Sequence, residues 1–339
     1  MTTRIAVLCP SEIAIRRFMP AITLSEDFEY VGVGMASRDE WTGDPAAYDA
    51  VHEGEIAKTA AFVEDYGGRV FEGYETLINA DDVDAVYLPL PPALHHGWAT
   101  KVLNAGKHAL VEKPFTTSVE DTEDLLALAK DKGLAVHENY MFAFHSQIQF
   151  VKDTMESGCL GEMRLIRLSF GFPFRGANDF RYNKALGGGA LLDCGGYPVK
   201  LATLLLGPTA RVTDANLQLG RDLDVDLYGS GTLVNDDGLT VQLAFGMDNA
   251  YRCDIDLWGS TGSMSSGRIL TAPVGYDPVF TFTTPEGVVD ETLPEDDSFL
   301  GSINAFAKSI KDPSAAAKAM DAIAHQATLV SVFQAVAPR

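Results

Sequence analysis

Two short segments carry the side chains best suited to acid–base chemistry. The first is Glu112-Lys113-Pro114, which follows an apolar run and predicts a lysine ammonium at the end of a strand. The second is residues 187–198, in which Asp193 and Tyr197 stand four apart and share a face if the segment is helical. An ammonium can bind a substrate oxygen, and a phenol beside a carboxylate can position and protonate one. The structural alternatives are a surface lysine, an aspartate helix cap and a packed tyrosine.

The first apolar run, residues 4–9, leads into a degraded dinucleotide fingerprint. The positions of G-x-G-x-x-G hold Cys9, Ser11 and Ala14, and only alanine is a usual substitute. Glycine is favoured there because the backbone must turn tightly and approach the pyrophosphate. A helix N-terminus still offers free amides to an anion. We therefore expect cofactor contacts from five consecutive residues, Cys9, Pro10, Ser11, Glu12 and Ile13.

The second predicted strand ends at Ser37-Arg38, with no carboxylate to hold a ribose 2′-hydroxyl. A serine and a guanidinium suit a 2′-phosphate, which favours NADP(H) and leaves NAD(H) as an alternative. A second interpretation, compatible with the first, is that Ser37 caps a helix and Glu40 completes a capping box. Further cofactor contacts are expected at the ends of later strands, from Leu90, Pro91, His95, Glu112 and Lys113.

The pattern of elements predicts where these residues meet. Strand and helix alternate up to about residue 136, with strands at 4–9, 28–36, 83–88, 108–111 and from 134, which indicates a doubly wound parallel sheet. After residue 150 apolar residues alternate with polar ones, as in 166–172, 240–245 and 251–257, which predicts a mostly antiparallel, open-faced sheet. The fold class is thus α/β with a Rossmann domain at 1–136 and an α+β substrate-binding and oligomerisation domain at 137–339. The C-terminal helix is a candidate to pack back on the first domain.

Composition narrows the partners. The 339 residues carry a formal charge of 26 − 47 = −21, which argues against binding to nucleic acid. The chain contains no apolar run long enough to span a bilayer. Its four cysteines are scattered, which predicts reduced thiols in a cytoplasmic protein and no zinc site or other metal site.

Together these motifs resemble the family of glucose–fructose oxidoreductase, inositol dehydrogenase and the rhizopine-pathway oxidoreductases (Gfo/Idh/MocA). Nearly the whole chain shares the likeness, and Tyr197, where many members carry histidine, is similar to the deoxysugar C-3 ketoreductase and dihydrodiol dehydrogenase branch. The segments that carry the resemblance are 105–108 leading into 112–114, 187–197 and 259–262 for the family, and 13–17, 138–142, 180–182 and 245–248 for the ketoreductases.

The resemblance implies hydride transfer between a nicotinamide and a carbonyl or carbinol carbon of a sugar or sugar nucleotide. Tyr197 would donate the proton, Lys113 would stabilise the developing oxyanion, and Asp193 would orient the substrate or Lys113. If another group donates the proton, His95 or Tyr140 is the next candidate. We expect four further residues to bind substrate: Tyr140, Arg175, Arg181 and Tyr182.

Three questions stay open at the level of sequence. The enzyme alternative is a dihydrodiol or free-sugar dehydrogenase, and the non-enzyme alternative is a dinucleotide-binding sensor. The open sheet face suggests a homodimer or homotetramer. Residues 40–55 resemble an insertion beside the adenosine site.

Overall fold

The computed structural model describes residues 2–41, 43, 45–176, 179–220 and 222–336. The chain divides into two compact units. The first holds the residues up to Thr116, together with Glu120–Asn139 and Ser302–Ala324. The second holds Thr117–Val119, Tyr140–Gly301 and the chain from His325 onward. The first unit therefore ends three residues later than the sequence boundary at 136, and it also contains a C-terminal segment.

The first unit is built on a six-stranded parallel sheet of order β3-β2-β1-β4-β5-β6. This is the strand order of dinucleotide-binding folds, with its switch point between β1 and β4, so the predicted parallel sheet is confirmed. Ile5, Ala6 and Val7 have no exposed surface, because a parallel sheet is covered on both faces. The strands are β1 (Thr3–Val7), β2 (Phe28–Met35), β3 (Arg69–Glu72), β4 (Ala85–Leu88), β5 (His108–Glu112) and β6 (Val136–Asn139).

Helices connect these strands. A π-helical turn at Ala14–Phe18 leads into the short helix α1, where Pro20 lies in the first turn. Strand β3 and helix α3 were not predicted, because β3 is an edge strand of four residues with only Phe71 buried. The helices are α1 (Met19–Ile22), α2 (Tyr48–Tyr66), α3 (Tyr74–Ile78), α4 (His95–Asn104) and α5 (Val119–Lys132).

The second unit is built on an eight-stranded sheet of order β14-β13-β12-β11-β7-β10-β9-β8. Only the central pair β7 and β10 is parallel among these pairings, so the predicted mostly antiparallel sheet is confirmed. Val241, Leu243 and Phe245 face the core and Gln242 faces outward, as their alternation predicts. The strands are β7 (Met163–Gly171), β8 (Arg211–Leu219), β9 (Asp226–Val234), β10 (Thr240–Gly246), β11 (Arg252–Gly259), β12 (Ser263–Ser266), β13 (Val279–Thr284) and β14 (Gly287–Thr292).

Helix α7 packs on the buried side of this sheet, against β7 and β10. Eight of its eleven residues are buried, which fits a helix enclosed by apolar side chains on most of its surface. The remaining helices are α6 (Ser146–Ser157), α7 (Gly196–Leu206), α8 (Ser298–Lys311) and α9 (Pro313–Ala335).

Candidate active site

Strand β5 delivers Glu112 and Lys113 to the carboxyl edge of the parallel sheet, where such sheets bind ligands. The Glu112 Oε1 atom accepts hydrogen bonds from the Tyr87 hydroxyl and the Asn139 amide, both at 2.6 Å. Burial raises the pKa of Glu112, while these donors and the charge of Lys113 lower it, and the result lies above its ordinary value. The Lys113–Pro114 peptide bond is cis, which the sequence did not indicate.

His95 is a buried residue that links two loops at the carboxyl edge of the parallel sheet. Its ring has no exposed surface, with Nδ1 2.8 Å from the Pro114 carbonyl oxygen and Nε2 2.8 Å from that of Leu90. Burial lowers the pKa of His95, against the opposing effect of the neighbouring carbonyls. Since both nitrogens face backbone oxygens, the ring joins the loops after β4 and β5. The cofactor contact and the reserve proton-donor role expected of His95 stay predictions.

At the end of β2 the predicted capping box is present. The Ser37 side chain accepts from the Glu40 amide, and Glu40 Oε2 accepts from the Ser37 amide at 2.8 Å. The Glu40 carboxylate also accepts from Tyr74 at 2.9 Å and Glu75 at 2.8 Å, which ties β2 to the start of α3. The serine hydroxyl can still donate while it accepts, so capping and phosphate recognition remain compatible.

Arg38 is held by the segment that resembles an insertion. Its guanidinium pairs with Asp49 and lies 4.4 Å from the centre of the Tyr48 ring. The Tyr48 hydroxyl in turn bonds the Ala36 carbonyl at 3.3 Å. The Arg38 side chain is 60% exposed. Because exposed ion pairs contribute little free energy, the guanidinium can exchange Asp49 for a phosphate.

A cavity of about 650 Å³ lies beside Ser37. Ala93, Leu94 and Trp98 give it an apolar wall, and Lys101 contributes a cation that pairs with Glu75 at 2.6 Å and lies 4.3 Å from the centre of the Trp98 ring. Apolar surface beside a hydroxyl and a cation fits the adenosine end of a dinucleotide. The sequence did not single out Trp98 or Lys101. The other lining residues are Asp39, Glu40, Glu72, Gly73, Glu75, Thr76 and Gly97.

The first turn of the parallel sheet is compact without its glycines. The buried Cys9 thiol donates to the Pro89 carbonyl at 3.3 Å, joining the ends of β1 and β4, and burial raises the pKa of Cys9 to about 12. The Ser11 hydroxyl accepts from the Ala14 amide at 3.2 Å. At two positions where the fingerprint has glycine, the small side chains of Cys9 and Ser11 thus form hydrogen bonds with nearby backbone groups. Pro10 is buried, Pro91 and Ser11 are half-buried, and Glu12 and Ile13 are exposed.

In the second unit the glycine run begins the helical segment that carries Asp193 and Tyr197. Asp226 accepts from the Leu191 amide at 2.6 Å, and its Oδ1 would lie 2.5 Å from a Cβ at Gly189. A π-helical turn, Leu191–Gly195, then leads into α7. A Cβ at Gly196 would lie 2.0 Å from the Tyr140 hydroxyl oxygen, so close packing explains this glycine. Asp226 is a positioning group that only the tertiary structure reveals.

Tyr197 lies on the first turn of α7 inside an aromatic pocket. Its ring centre is 5.2 Å from that of Tyr140, 5.7 Å from that of Phe142 and 5.1 Å from that of Phe170. Tyr197 is 8% exposed. Three rings that fix one phenol restrict its rotation, which is the preorganisation that a proton donor requires.

Asp193 forms an ion pair with Arg181. The Arg181 Nε atom lies 2.8 Å from Asp193 Oδ2, and Nη1 lies 3.1 Å from Asp179 Oδ1. Burial lowers the pKa of Arg181, but the two carboxylates raise it by more. Arg181 is therefore engaged in an internal ion pair, which makes it a weaker candidate for binding substrate than the sequence suggested.

Arg175 and Tyr182, which were also predicted to bind substrate, are joined by a hydrogen bond. The Tyr182 hydroxyl donates to the Met247 carbonyl at 2.9 Å and accepts from the Arg175 amide at 3.1 Å. Tyr182 therefore links the segment that follows β7 to the residue that follows β10. The Arg175 guanidinium lies 4.6 Å from the centre of the Phe172 ring.

Comparison with known proteins identifies the fold and the family. A model of an oxidoreductase family with an NAD-binding Rossmann fold matches residues 28–140. A model of the GFO/IDH/MocA C-terminal domain matches residues 148–265. The chain belongs to the GFO/IDH/MocA oxidoreductase family. The resemblance seen in the motifs is confirmed, and the chain is an NAD(P)-dependent oxidoreductase.

Individual relatives cover almost the full chain. It is 40% identical over 309 residues to a dTDP-3,4-didehydro-2,6-dideoxy-alpha-D-glucose 3-reductase from Streptomyces violaceoruber, covering 91% of this chain and 85% of that protein. It is 29% identical over 307 residues to D-xylose 1-dehydrogenase (NADP(+)) 2 from Haloferax volcanii, covering 90% and 88%. The crystal structure of a 3-ketoreductase from Actinomadura kijaniata in complex with NADP and TDP-benzene matches with a TM-score of 0.89 at 36% identity, covering 99% and 98%.

Within the ranges that the structure describes, no group of three or more His, Cys, Asp or Glu side chains is arranged to hold a metal ion. In those same ranges no helix combines the length and apolarity needed to cross a membrane. None of the four cysteines, all of which lie in the described ranges, forms a disulfide bond.

Proposed function

We propose that this chain reduces a keto group on a nucleotide-linked deoxysugar with NADPH. The observation that carries the proposal is Tyr197, a phenol fixed among three aromatic rings at the start of α7. The similarity to a dTDP-sugar 3-reductase supports the substrate class. NADP in the related 3-ketoreductase, together with Ser37 and Arg38 at the end of β2, supports the cofactor.

The residues of the chain then have distinct roles. When bound, NADPH supplies the hydride that reduces the carbonyl carbon. Tyr197 donates its hydroxyl proton to the carbonyl oxygen as negative charge develops there, and solvent later returns a proton to the phenolate. The Lys113 ammonium stabilises that charge electrostatically. Asp193, held by Arg181, orients the substrate.

The substrate needs a cation for its diphosphate, since the chain as a whole is strongly acidic. We propose Arg175 for this contact, because its guanidinium stacks on Phe172 while that of Arg181 is paired with two carboxylates. Tyr140, which is 1% exposed, would act on the substrate indirectly by supporting the ring of Tyr197.

The test measures NADPH oxidation with the dTDP-linked 3-ketosugar and with unphosphorylated sugars. Tyr197→Phe should lower kcat about 10²–10⁴-fold and leave NADPH affinity unchanged, because it removes only the proton donor. Lys113→Ala should lower kcat similarly, and the double variant should lose less than the product of the two effects. Tyr66→Phe, at the end of α2, is the matched control.

Each result has a defined meaning. Full turnover in Tyr197→Phe would exclude Tyr197 as the donor. Turnover confined to free sugars or to dihydrodiols would favour the dehydrogenase alternative. The similarity to a D-xylose dehydrogenase makes free sugars the first substrates to test for it. Tight NADPH binding without turnover on any substrate would favour a dinucleotide sensor.

We also propose that the chain works in the cytoplasm as a homodimer or homotetramer that pairs through the outer face of the eight-stranded sheet. Four scattered cysteines that are not joined in disulfide bonds support a reducing compartment. Tyr228 and Trp258 project from this sheet at 51% and 52% exposure, which supports self-association. Light scattering should give a mass of two or four chains, and Trp258→Glu should reduce it.

A further inference from the structure

A series of polar side chains runs through the core of the first unit and ends at Glu112. His137 Nε2 lies 2.9 Å from Ser302 Oγ, which lies 2.8 Å from Asn139 Oδ1. Asn139 Nδ2 lies 2.6 Å from Glu112 Oε1, which also accepts from Tyr87. His137, Ser302, Asn139 and Tyr87 are at most 4% exposed. Four buried polar groups in one connected series are costly unless each is matched.

The direction of every bond in the series is determined. Asn139 turns its amide nitrogen to Glu112, so its oxygen must accept from the Ser302 hydroxyl. Ser302 has then used its only proton and must accept from His137, which places a proton on His137 Nε2. Asn139, the last residue of the series, donates a hydrogen bond to Glu112 Oε1, and the Tyr87 hydroxyl donates a second one to the same oxygen. An oxygen that accepts two hydrogen bonds fits an ionised carboxylate. If this oxygen were protonated, its proton would face the donor protons of Asn139 and Tyr87.

Ser302 reaches this position only through tertiary structure. It lies in α8, 163 residues after Asn139, in the C-terminal segment that belongs to the first unit. The His137 ring also contacts Phe306, one turn further along α8, at 5.9 Å between ring centres. Apolar packing of α8 therefore fixes the hydroxyl against Asn139.

We propose that Ser302 and Asn139 are positioning residues that hold Glu112 as a carboxylate beside Lys113. The part concerning Lys113 rests on the function proposed above. The groups that face Glu112 are Tyr87 from β4, Asn139 from β6 and Lys113, which directly follows β5. An ionised Glu112 places a fixed negative charge next to the ammonium that serves the reaction and keeps that ammonium in place.

The pKa of Glu112 supports this geometry. Burial raises it, and the donors from Tyr87 and Asn139 limit the rise. Removing Ser302 leaves the Asn139 oxygen without its donor and allows the amide to rotate away from Glu112. The midpoint of the Glu112 titration should then move to higher pH.

The direct experiment follows the side-chain carboxyl carbons by NMR in protein labelled with ¹³C at that position of glutamate. Glu112→Gln identifies the signal, and the titration is compared in wild type, Ser302→Ala and Asn139→Leu. We expect an upward shift of about half a pH unit in Ser302→Ala and about one unit in Asn139→Leu, given the strength of bonds to charged groups. Ser309→Ala is the matched control, since the hydroxyl of this buried serine of α8 donates to the Ala305 carbonyl of its own helix.

A second measurement connects the series to the cofactor edge. NADPH affinity should weaken on acidification through the Glu112 midpoint, and the pH of this loss should rise in Ser302→Ala but not in Ser309→Ala. An unchanged Glu112 midpoint in Ser302→Ala would overturn the proposal. A shifted midpoint with an unchanged pH profile of NADPH affinity would overturn its functional part. If wild type binds no NADPH at any pH, the proposed function fails while the carboxyl titration still decides whether the series holds Glu112.

Discussion

The Glu40 carboxylate offers a sharp test of how the cofactor edge is built. Its two oxygens accept three backbone N–H bonds at 2.8–2.9 Å, two on Oε2 and one on Oε1. In Glu40→Gln one oxygen becomes an NH₂ group that faces a backbone N–H, so at least one charge-assisted bond is lost. Such a bond contributes about 1.5–3 kcal/mol. Because Glu40 is only half-buried, we expect a loss in free energy of unfolding near the lower end, about 1–2 kcal/mol.

The dependence on pH gives this prediction a sign. Burial raises the pKa of Glu40, but the amides of Glu75, Ser37 and Tyr74 lower it by more, so the folded-state value lies below the ordinary one. A carboxyl with a depressed pKa stabilises the fold above its unfolded value of about 4.3 and loses this effect as pH falls through the folded value. The difference between wild type and Glu40→Gln should thus be complete at neutral pH and shrink below about pH 4.

Thermal unfolding by circular dichroism measures the difference, at roughly 2–4 °C for each kcal/mol. Hydrogen exchange reports the site itself, because the amides of Ser37, Tyr74 and Glu75 should lose protection in Glu40→Gln. Glu291→Gln, on the exposed edge strand β14, controls for the general effect of removing a charge. Equal stability of wild type and Glu40→Gln at neutral pH, or a difference that persists unchanged in acid, would refute the reasoning.

Two further substitutions test other parts of the site. Arg38→Ala should weaken NADPH binding roughly tenfold or more and leave NADH binding nearly unchanged, since a guanidinium–phosphate bond contributes about 1.5–3 kcal/mol; fluorescence titration with both cofactors measures this, and equal losses would contradict phosphate recognition. Gly196→Ala places a Cβ 2.0 Å from the Tyr140 hydroxyl oxygen and should cost about 1–3 kcal/mol of stability by overpacking. Gly54→Ala, in α2 with nothing within 4 Å of its Cβ, should be neutral or stabilising, and a comparable fall in Tm for both variants would show that packing against Tyr140 is not the cause.

The periodicity of the sequence predicted most of the fold. Buried parallel strands appear as continuous apolar runs, and half-buried strands alternate, so both sheets could be predicted from residue order. Edge strand β3 was missed because its four residues carry only one buried side chain. Strand order and the return of residues 302–324 to the first unit depend on contacts between residues distant in the chain.

For the candidate site as well, the sequence could predict local features but not contacts between distant residues. Motifs such as Glu112-Lys113-Pro114 and the glycine run identify chemical groups, because local turns and helix starts restrict the residues that can occupy them. The partners of those groups are not local. The sequence could not show that His95 joins two loops, that Asp49 and Tyr48 hold Arg38, or that Arg181 is paired by Asp179 and Asp193.

The sequence by itself determined the types of reactive groups and most of the strands and helices that carry them, since residue identity and secondary structure both depend on short stretches of the chain. Only the tertiary structure decided which of these groups are bound internally. Ser302 is one serine among many in the sequence, yet packing of α8 places it against Asn139 and, through Asn139, behind Glu112. A buried polar group must find its partner wherever the fold brings one within reach, and that partner can lie 163 residues away.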